Sequence, residues 1–137
     1  MLSNKCENIN THLLGGMNTG RYIIEFGLGL DFHGQDVTNA CIKAVKDATS
    51  KSCLCGLLEI LNIQDLDKKV VINLTLAVTK PDEVDGDKVA TYLPVGKVNV
   101  KTIQGGMKAP GIFLEKFNDK DESIEVALAC IEVNILD

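Results

Sequence analysis

The fold is decided by residues 21–34, which read RYIIEFGLGLDFHG. Apolar residues alternate here with residues of another kind, and this two-residue period is typical of a β-strand. The apolar set is Tyr22, Ile24, Phe26, Leu28, Leu30 and Phe32, and the other set is Ile23, Glu25, Gly27, Gly29, Asp31 and His33. The segment therefore predicts a strand with one apolar face and one acidic face that is bare at the glycines and ends in an Asp and a His.

A helix is predicted directly after this strand, over residues 35–52. Its apolar residues recur at helical spacing and so share one stripe: Val37, Ala40, Cys41, Ala44, Val45 and Ala48. Gly34 or Asp36 can cap the first turn, where backbone N–H groups lack partners within the helix.

The rest of the chain predicts a short helix at 54–61 and three further strands. The second strand covers residues 70–78, and the third begins near Val98 and runs into a glycine-rich loop at 104–111. The last run, 124–136, changes the parity of its apolar residues after Cys130, which a bulge or burial of both faces would explain. A helix over 124–133 is the competing interpretation.

These elements predict an α+β fold with the order β-α-α-β-β-β. We expect a small, mostly antiparallel four-stranded sheet with helices packed on one face. Residues 1–20 show no periodicity and are predicted to be a flexible leader, and residues 21–137 are predicted to be a single α/β domain.

Composition limits the classes of partner. The 137 residues carry a net charge of -5, so the surface repels polyanions on average, and no basic patch stands out. We expect neither a nucleic-acid nor a membrane partner, since no apolar run is long enough to span a bilayer. Five cysteines form an odd set without framework spacing, which indicates reduced thiols and a cytoplasmic protein.

Asp31 and His33 are the candidate catalytic residues. On a strand they project to the same side, with Cα atoms roughly 6.6 Å apart, so they could act as an acid/base pair or bind a divalent metal ion together. The N–H groups around Gly34, Gln35 and Asp36 could bind an anion at the start of the helix. The alternative is that His33 only caps or hydrogen-bonds this strand-to-helix junction.

Glycines supply the remaining candidate ligand-binding residues. Gly27 and Gly29 share the face of the Asp and the His, and glycine inside a strand destabilises it unless something approaches the backbone closely. That neighbour could be a substrate, a second subunit or a packed helix. Gly105, Gly106 and Lys108 also follow a strand and could form a second wall of the site, with Lys108 attracting an anion. An exposed turn is the alternative for this loop.

The same residues resemble a known family. Gly27, Gly29, Asp31, His33 and Gly34 reproduce the G-x-G-x-D-x-H-G signature of conserved hypothetical proteins that occur in bacteria and, with a long N-terminal extension, in plants. The likeness extends from about Arg21 to the C-terminus, through the helix start and the Gly105-Gly106 loop. The resemblance brings no established activity with it.

A weaker similarity links Asp31-Phe32-His33 to the metal-binding Asp-x-His of the cyclodiphosphate synthase of the methylerythritol phosphate pathway. This similarity implies a small sheet with helices on one face, assembled as a trimer or higher ring with ligands at subunit junctions. The downstream metal-binding histidine of that enzyme has no counterpart in this chain.

Two functions follow from these features. The first is an oligomeric enzyme or ligand-binding protein that uses Asp31 and His33 on a small polar or anionic metabolite. The second is a non-catalytic assembly or structural module, in which the glycines permit close packing and the Asp and His hold the junction together.

Overall fold

The computed structural model describes residues 19–137, so residues 1–18 of the predicted leader lie outside it. The chain forms an α+β fold. Its strands are β1 (Thr19–Asp31), β2 (Val70–Val78), β3 (Lys97–Gln104), β4 (Met107–Pro110) and β5 (Ser123–Leu136). Its helices are α1 (Val37–Thr49), α2 (Cys55–Glu59), α3 (Leu66–Lys69) and α4 (Gly86–Ala90), with 3-10 turns at Pro81–Glu83 and Glu115–Phe117.

The strands form one mixed sheet in the order β1-β5-β2-β3. β5 is antiparallel to β1 and β2, whereas β2 and β3 run parallel. The parallel pair needs a crossover connection, which the 3-10 turn Pro81–Glu83 and α4 provide. β4 lies in line with β2 along the same side of β5. β2 pairs with residues 128–135 of β5, and β4 pairs with residues 123–126.

The prediction of four strands was therefore one strand short, and it lacked the parallel pair. The missing strand is β4, which lies within the predicted glycine-rich loop 104–111. None of the helices in residues 19–137 has the length and apolar character that crossing a membrane requires.

Helix α1 covers the inner face of the sheet. Asp36 caps it as predicted, accepting hydrogen bonds from the N–H groups of Thr38 and Asn39. All six residues of its predicted apolar stripe are buried. They pack against alternate residues of β2 and β5: Val70, Ile72, Leu74, Leu76, Val78, Ala127, Ala129, Ile131 and Val133.

The glycines of β1 allow α1 to lie directly on the strand. A Cβ at Gly27 would overlap the carbonyl oxygen of Ala44 and lie 2.8 Å from the Cβ of Ala48. A Cβ at Gly29 would overlap the carbonyl oxygen of Ala40 in the same way. The sequence allowed a substrate, a second subunit or a packed helix next to these glycines, and the structure shows the packed helix.

The parity change in β5 has a different cause from a bulge in that strand. The pairing of β5 with β2 is regular throughout, and the register shift in this part of the sheet lies in β1, between Arg21 and Ile23. Val126, Leu128 and Cys130 lie on the outward parity of β5, whereas Ile131 and Val133 lie on the parity that faces α1 and the core. The run is thus a strand, as the first interpretation held, and it contributes apolar side chains to both faces of the sheet.

Candidate functional site

The side chain of Asp31 ties the end of β1 to the start of α1. Its Oδ2 accepts the N–H of Asp36 at 2.8 Å, and its Oδ1 accepts the side-chain amide of Asn39 at 2.7 Å. The ammonium group of Lys43 lies 4.0 Å from the same Oδ1. Asp31 is buried, and each of its oxygens has a partner from α1 or its N-cap. The carboxylate therefore holds the helix against the strand.

His33 is held by an aspartate from a distant part of the chain. Its Nδ1 lies 2.8 Å from Oδ2 of Asp119, and its ring contacts that of Phe117 with the centroids 4.8 Å apart. Asp119 also accepts the N–H groups of Gly34 and Leu114, each at 2.8 Å. Burial opposes ionisation of Asp119, but the hydrogen bonds from His33, Leu114 and Gly34 outweigh it and lower the pKa of this carboxyl to about 2. Asp119 is thus an ionised anchor for the histidine and two backbone segments.

Gln35 makes a second connection to the same segment. Its side-chain amide donates to the carbonyl of Ser123 at 2.9 Å, and its carbonyl oxygen accepts the N–H of Lys120 at 2.7 Å. The backbone turns sharply here, with φ of +89° at Gly34 and +50° at Gln35. A left-handed conformation is uncommon for a residue with a side chain, and the two hydrogen bonds of Gln35 compensate for it.

Two of the N–H groups that were expected to bind an anion, those of Gly34 and Asp36, already donate to carboxylates of the same chain, and so do two N–H groups of the first turn of α1. Those of Thr38 and Asn39 bind the cap Asp36, at 2.9 Å and 3.2 Å. The N–H of Asp36 binds Asp31, and that of Gly34 is engaged as described above. The positive end of α1 is therefore neutralised from within the chain.

A second buried carboxylate lies beside Asp31. Glu125 is directly opposite Asp31 in the pairing of β1 with β5, and both are buried. Its Oε2 accepts the hydroxyl of Thr79 at 2.7 Å, and Lys108 lies 4.0 Å from its Oε1. Each of the two acids thus has one lysine nearby, which offsets part of the energetic penalty of burying two negative charges.

The Gly105-Gly106 loop connects β3 to β4. The N–H of Gly105 donates to the carbonyl of Val78 at 2.9 Å, and Gly106 has a φ of +66°. This turn places Lys108 on β4, 3.8 Å from Asp121 as well as near the buried glutamate. Lys108 therefore lies on the same side of the sheet as the junction, with Glu125 between it and Asp31.

The structure gives Asp31 and His33 separate hydrogen-bond partners. Asp31 binds groups of α1 and its N-cap, whereas His33 binds Asp119. Within residues 19–137, no group of three or more His, Cys, Asp or Glu side chains is placed to hold a metal ion. The hydrogen bonds of Asp31 and His33 therefore do not converge on one shared partner.

Two acids of this region were not singled out from the sequence. Asp119 lies between the 3-10 turn Glu115–Phe117 and β5, 86 residues from its partner His33, and no local pattern connects the two. Glu125 could have been noticed, because it is an acid among residues that alternate as a strand, on the parity of the buried Ala127 and Ala129.

Comparison with known proteins identifies the family. The model of a family described as "Conserved hypothetical protein (Lin0512_fam)" matches residues 21–133. A solved structure described as an FtsZ-like protein of unknown function, from Nostoc punctiforme, is 33% identical, with a TM-score of 0.79 over 89% of this chain and 100% of that one. No curated protein matches significantly. The chain therefore belongs to the conserved hypothetical protein family Lin0512_fam.

Proposed function

We propose that this protein is a non-catalytic assembly module, in which the glycine, aspartate and histidine signature holds the strand-to-helix junction together. One observation carries the proposal: the polar side chains of the junction, Asp31, His33, Gln35 and Asp36, all hydrogen-bond within the chain. Side chains that bind or convert a ligand are usually directed toward an open pocket. Here they are directed toward α1 and the segment 114–123.

The outer face of the sheet supports the same proposal. Its side chains are apolar on the half nearest the junction, and Phe26, Leu28 and Leu128 are exposed there. Extended apolar patches on soluble proteins commonly mark interaction sites. The signature thus stabilises a scaffold whose interacting surface lies on the opposite side of the sheet.

The state of the cysteines supports a cytoplasmic location for this module. Cys41, Cys53, Cys55 and Cys130 are all free thiols. Reduced cysteines are the rule where glutathione keeps thiols reduced, and secreted domains of this size more often contain disulfides.

A second candidate function is favoured by the geometry of His33. A carboxylate that binds one imidazole nitrogen and leaves the ring accessible is the arrangement of general acid/base histidines. The side chain of His33 is 35% exposed, and Asp119 holds its Nδ1. An enzyme acting on a small anionic metabolite would use this pair, with Lys108 or a divalent metal ion to attract the substrate.

Variants of the junction separate the two functions. Under the module proposal, His33→Ala and Asp119→Asn each lower the Tm by several degrees, because each weakens the hydrogen bonds that hold the segment 114–123 to the junction. Glu122→Gln removes a charge from the same segment at an exposed position, and it leaves the Tm unchanged. Differential scanning calorimetry measures all three, and circular dichroism checks that the fold is retained.

Titration with simple ligands tests whether the junction is a binding site. Orthophosphate and Mg²⁺ are titrated into the wild type and into His33→Ala while the Tm is followed, since a ligand that binds the native state raises it. The module proposal expects no shift in either protein. A shift in the wild type that His33→Ala abolishes would contradict the proposal and establish the site as a binding site.

A further inference from the structure

We propose that a second copy of this chain docks on the outer face of the sheet and forms a two-fold dimer. This inference rests on the proposed function and deepens it by naming the partner. The surface concerned, called the outer patch, consists of Ile24, Phe26, Leu28, Ile103, Met107 and Leu128.

The outer patch is continuous across the sheet. Leu28 of β1 lies opposite Leu128 of β5, Leu128 lies opposite Ala77 of β2, and Ala77 lies opposite Ile103 of β3. Paired residues in neighbouring strands point to the same face, so these four apolar side chains form one row. Phe26 lies two residues before Leu28 and adds to the row on the same face.

No helix of residues 19–137 covers this row. The core residues of α1, α2 and α4 all belong to the cluster on the inner face, while Phe26 is 64% exposed, Leu28 47% and Leu128 46%. In a sheet with helices on one side, the other face is normally polar. The exposed apolar residues of this face therefore either promote aggregation or form an interface with a partner.

The area of the outer patch approaches the size that a dimer requires. With about half of each of the six side chains exposed, and roughly 200 Å² for a large apolar side chain, the outer patch presents on the order of 600 Å². A stable interface buries about 800 Å² on each partner, and the half-buried Leu30, Val126 and Cys130 beside the patch supply much of the remainder. Full burial of this face by another copy would thus reach the range of specific dimers.

The outer face has both a raised and a recessed part. Phe26 and Leu28 form a ridge along β1, next to a groove of about 390 Å³ over Thr75 and Ala77. Ile103 closes the far side of this groove. A two-fold axis parallel to the sheet, lying between the two outer faces, would turn the ridge of each copy toward the groove of the other, as isologous interfaces require, and stacked sheets commonly pack through such interdigitation.

The alternative route to self-association, addition of a strand at the edge of β1, is blocked by α1. The N–H of Leu28 donates to the carboxylate of Asp47 at 2.8 Å, and the carbonyl of Phe26 accepts the ammonium group of Lys51 at 2.9 Å. Asp47 and Lys51 also pair with each other at 3.1 Å. Two groups that an added strand would need at this edge are therefore occupied, which disfavours strand addition at β1.

The border of the outer patch is polar, as the rim of an interface is. Along β1 and β5 the apolar row ends at Glu132, which pairs with Arg21 at 3.8 Å. Along β2 and β3 it ends at the paired Thr75 and Lys101, and the next pair on this face, Asn73 and Asn99, hydrogen-bonds through its side chains at 3.2 Å. The net charge of -5 disfavours an anionic membrane as the occupant, whereas a second copy matches both the apolar centre and the polar rim.

The test compares the mass in solution of the wild type with two variants of the outer patch. Light scattering after size exclusion, across a hundredfold range of concentration, should give twice the 14.8 kDa chain mass for the wild type. Phe26→Asp and Leu128→Asp each place a charge in the centre of the patch and should raise the dissociation constant at least a hundredfold, which yields a monomer. The control is Ile60→Asp, because Ile60 is 80% exposed, follows α2 and lies outside the patch, and it should dimerise like the wild type.

Other results would overturn the inference. A wild-type monomer at every concentration, or a dimer that both patch variants preserve, excludes docking on this face. A larger ring or an open series of masses excludes the closed two-fold arrangement. If the wild type is a monomer whose outer patch binds the apolar dye ANS, and Phe26→Asp abolishes the binding, the occupant is an apolar ligand instead of a second copy. None of these outcomes depends on the His33 and Asp119 variants, so the two proposals can fail separately.

Discussion

Replacing Gly29 by alanine tests the contact on which the fold depends. The new Cβ would overlap the carbonyl oxygen of Ala40 and the backbone nitrogen of Ala44, and it would lie 2.9 Å from the carbonyl carbon of Lys43. Overpacking against side chains costs about 1–3 kcal/mol, and here the obstacle is helix backbone, which cannot rotate away. We expect Gly29→Ala to lower the free energy of unfolding by at least about 3 kcal/mol. At roughly 3–5 °C per kcal/mol for a domain of this size, the Tm falls by about 10 °C or more.

The same strand offers a matched control. A Cβ at Gly20 would meet nothing within 4 Å, so Gly20→Ala should leave the stability unchanged or raise it by up to about 1 kcal/mol through a less flexible unfolded chain. Urea unfolding of both variants, followed by circular dichroism, gives the two free energies. If Gly29→Ala were as stable as Gly20→Ala, α1 could not lie on β1 as described, and the structural role assigned to the glycines would be wrong.

Three further predictions concern the junction and the cysteines. Asp31→Ala should lower the free energy of unfolding by about 3 kcal/mol, because it leaves buried donors unsatisfied. Asp36→Ala removes only the helix cap and should lower it by about 1 kcal/mol. Equal losses in urea unfolding would contradict this ranking. The pKa of Asp119 is about 2 in the folded protein and 3.8 in its ordinary state, so the ionised carboxylate stabilises the fold fully above about pH 4, and this stabilisation is lost as the pH falls toward 2. The difference in unfolding free energy between the wild type and Asp119→Asn should therefore shrink across this range. A difference that grew on acidification would refute the assignment. Burial, with the charge of Asp36 as a smaller cause, raises the pKa of Cys41 to about 12. Iodoacetamide at pH 7.5 should therefore modify the exposed Cys53 in the folded protein and modify Cys41 only after unfolding. Mass spectrometry of the labelled protein measures both.

The features that the sequence predicted correctly are local ones. The stripe that includes Cys41 and Val45 lies within one helix, and the cap Asp36 is adjacent to it, so spacing alone defines α1. The alternation of β1 likewise follows from consecutive residues. The α+β class follows from adding such segments together.

The features that were missed depend on distant parts of the chain. The glycines of β1 indicate a close neighbour, but only the packed structure shows that it is α1. For the same reason the sequence could not show that the apolar set of β1, with Phe26 and Leu28, faces away from the helices. The partner of His33 comes from a turn near the last strand, and β4 is a strand of four residues that ends in Pro110 within a glycine-rich loop, too short to show a periodicity.

The position of β5 has a consequence for how the domain folds. This strand pairs with β1, β2 and β4, yet it follows all of them in the chain. The earlier strands therefore lack their central partner until residues 123–136 have been synthesised, and β1 must wait for a segment roughly a hundred residues away. Contacts of such long range slow the search for the native state. During that delay the apolar side chains of the earlier strands are uncovered, and such exposed surface favours aggregation and chaperone binding.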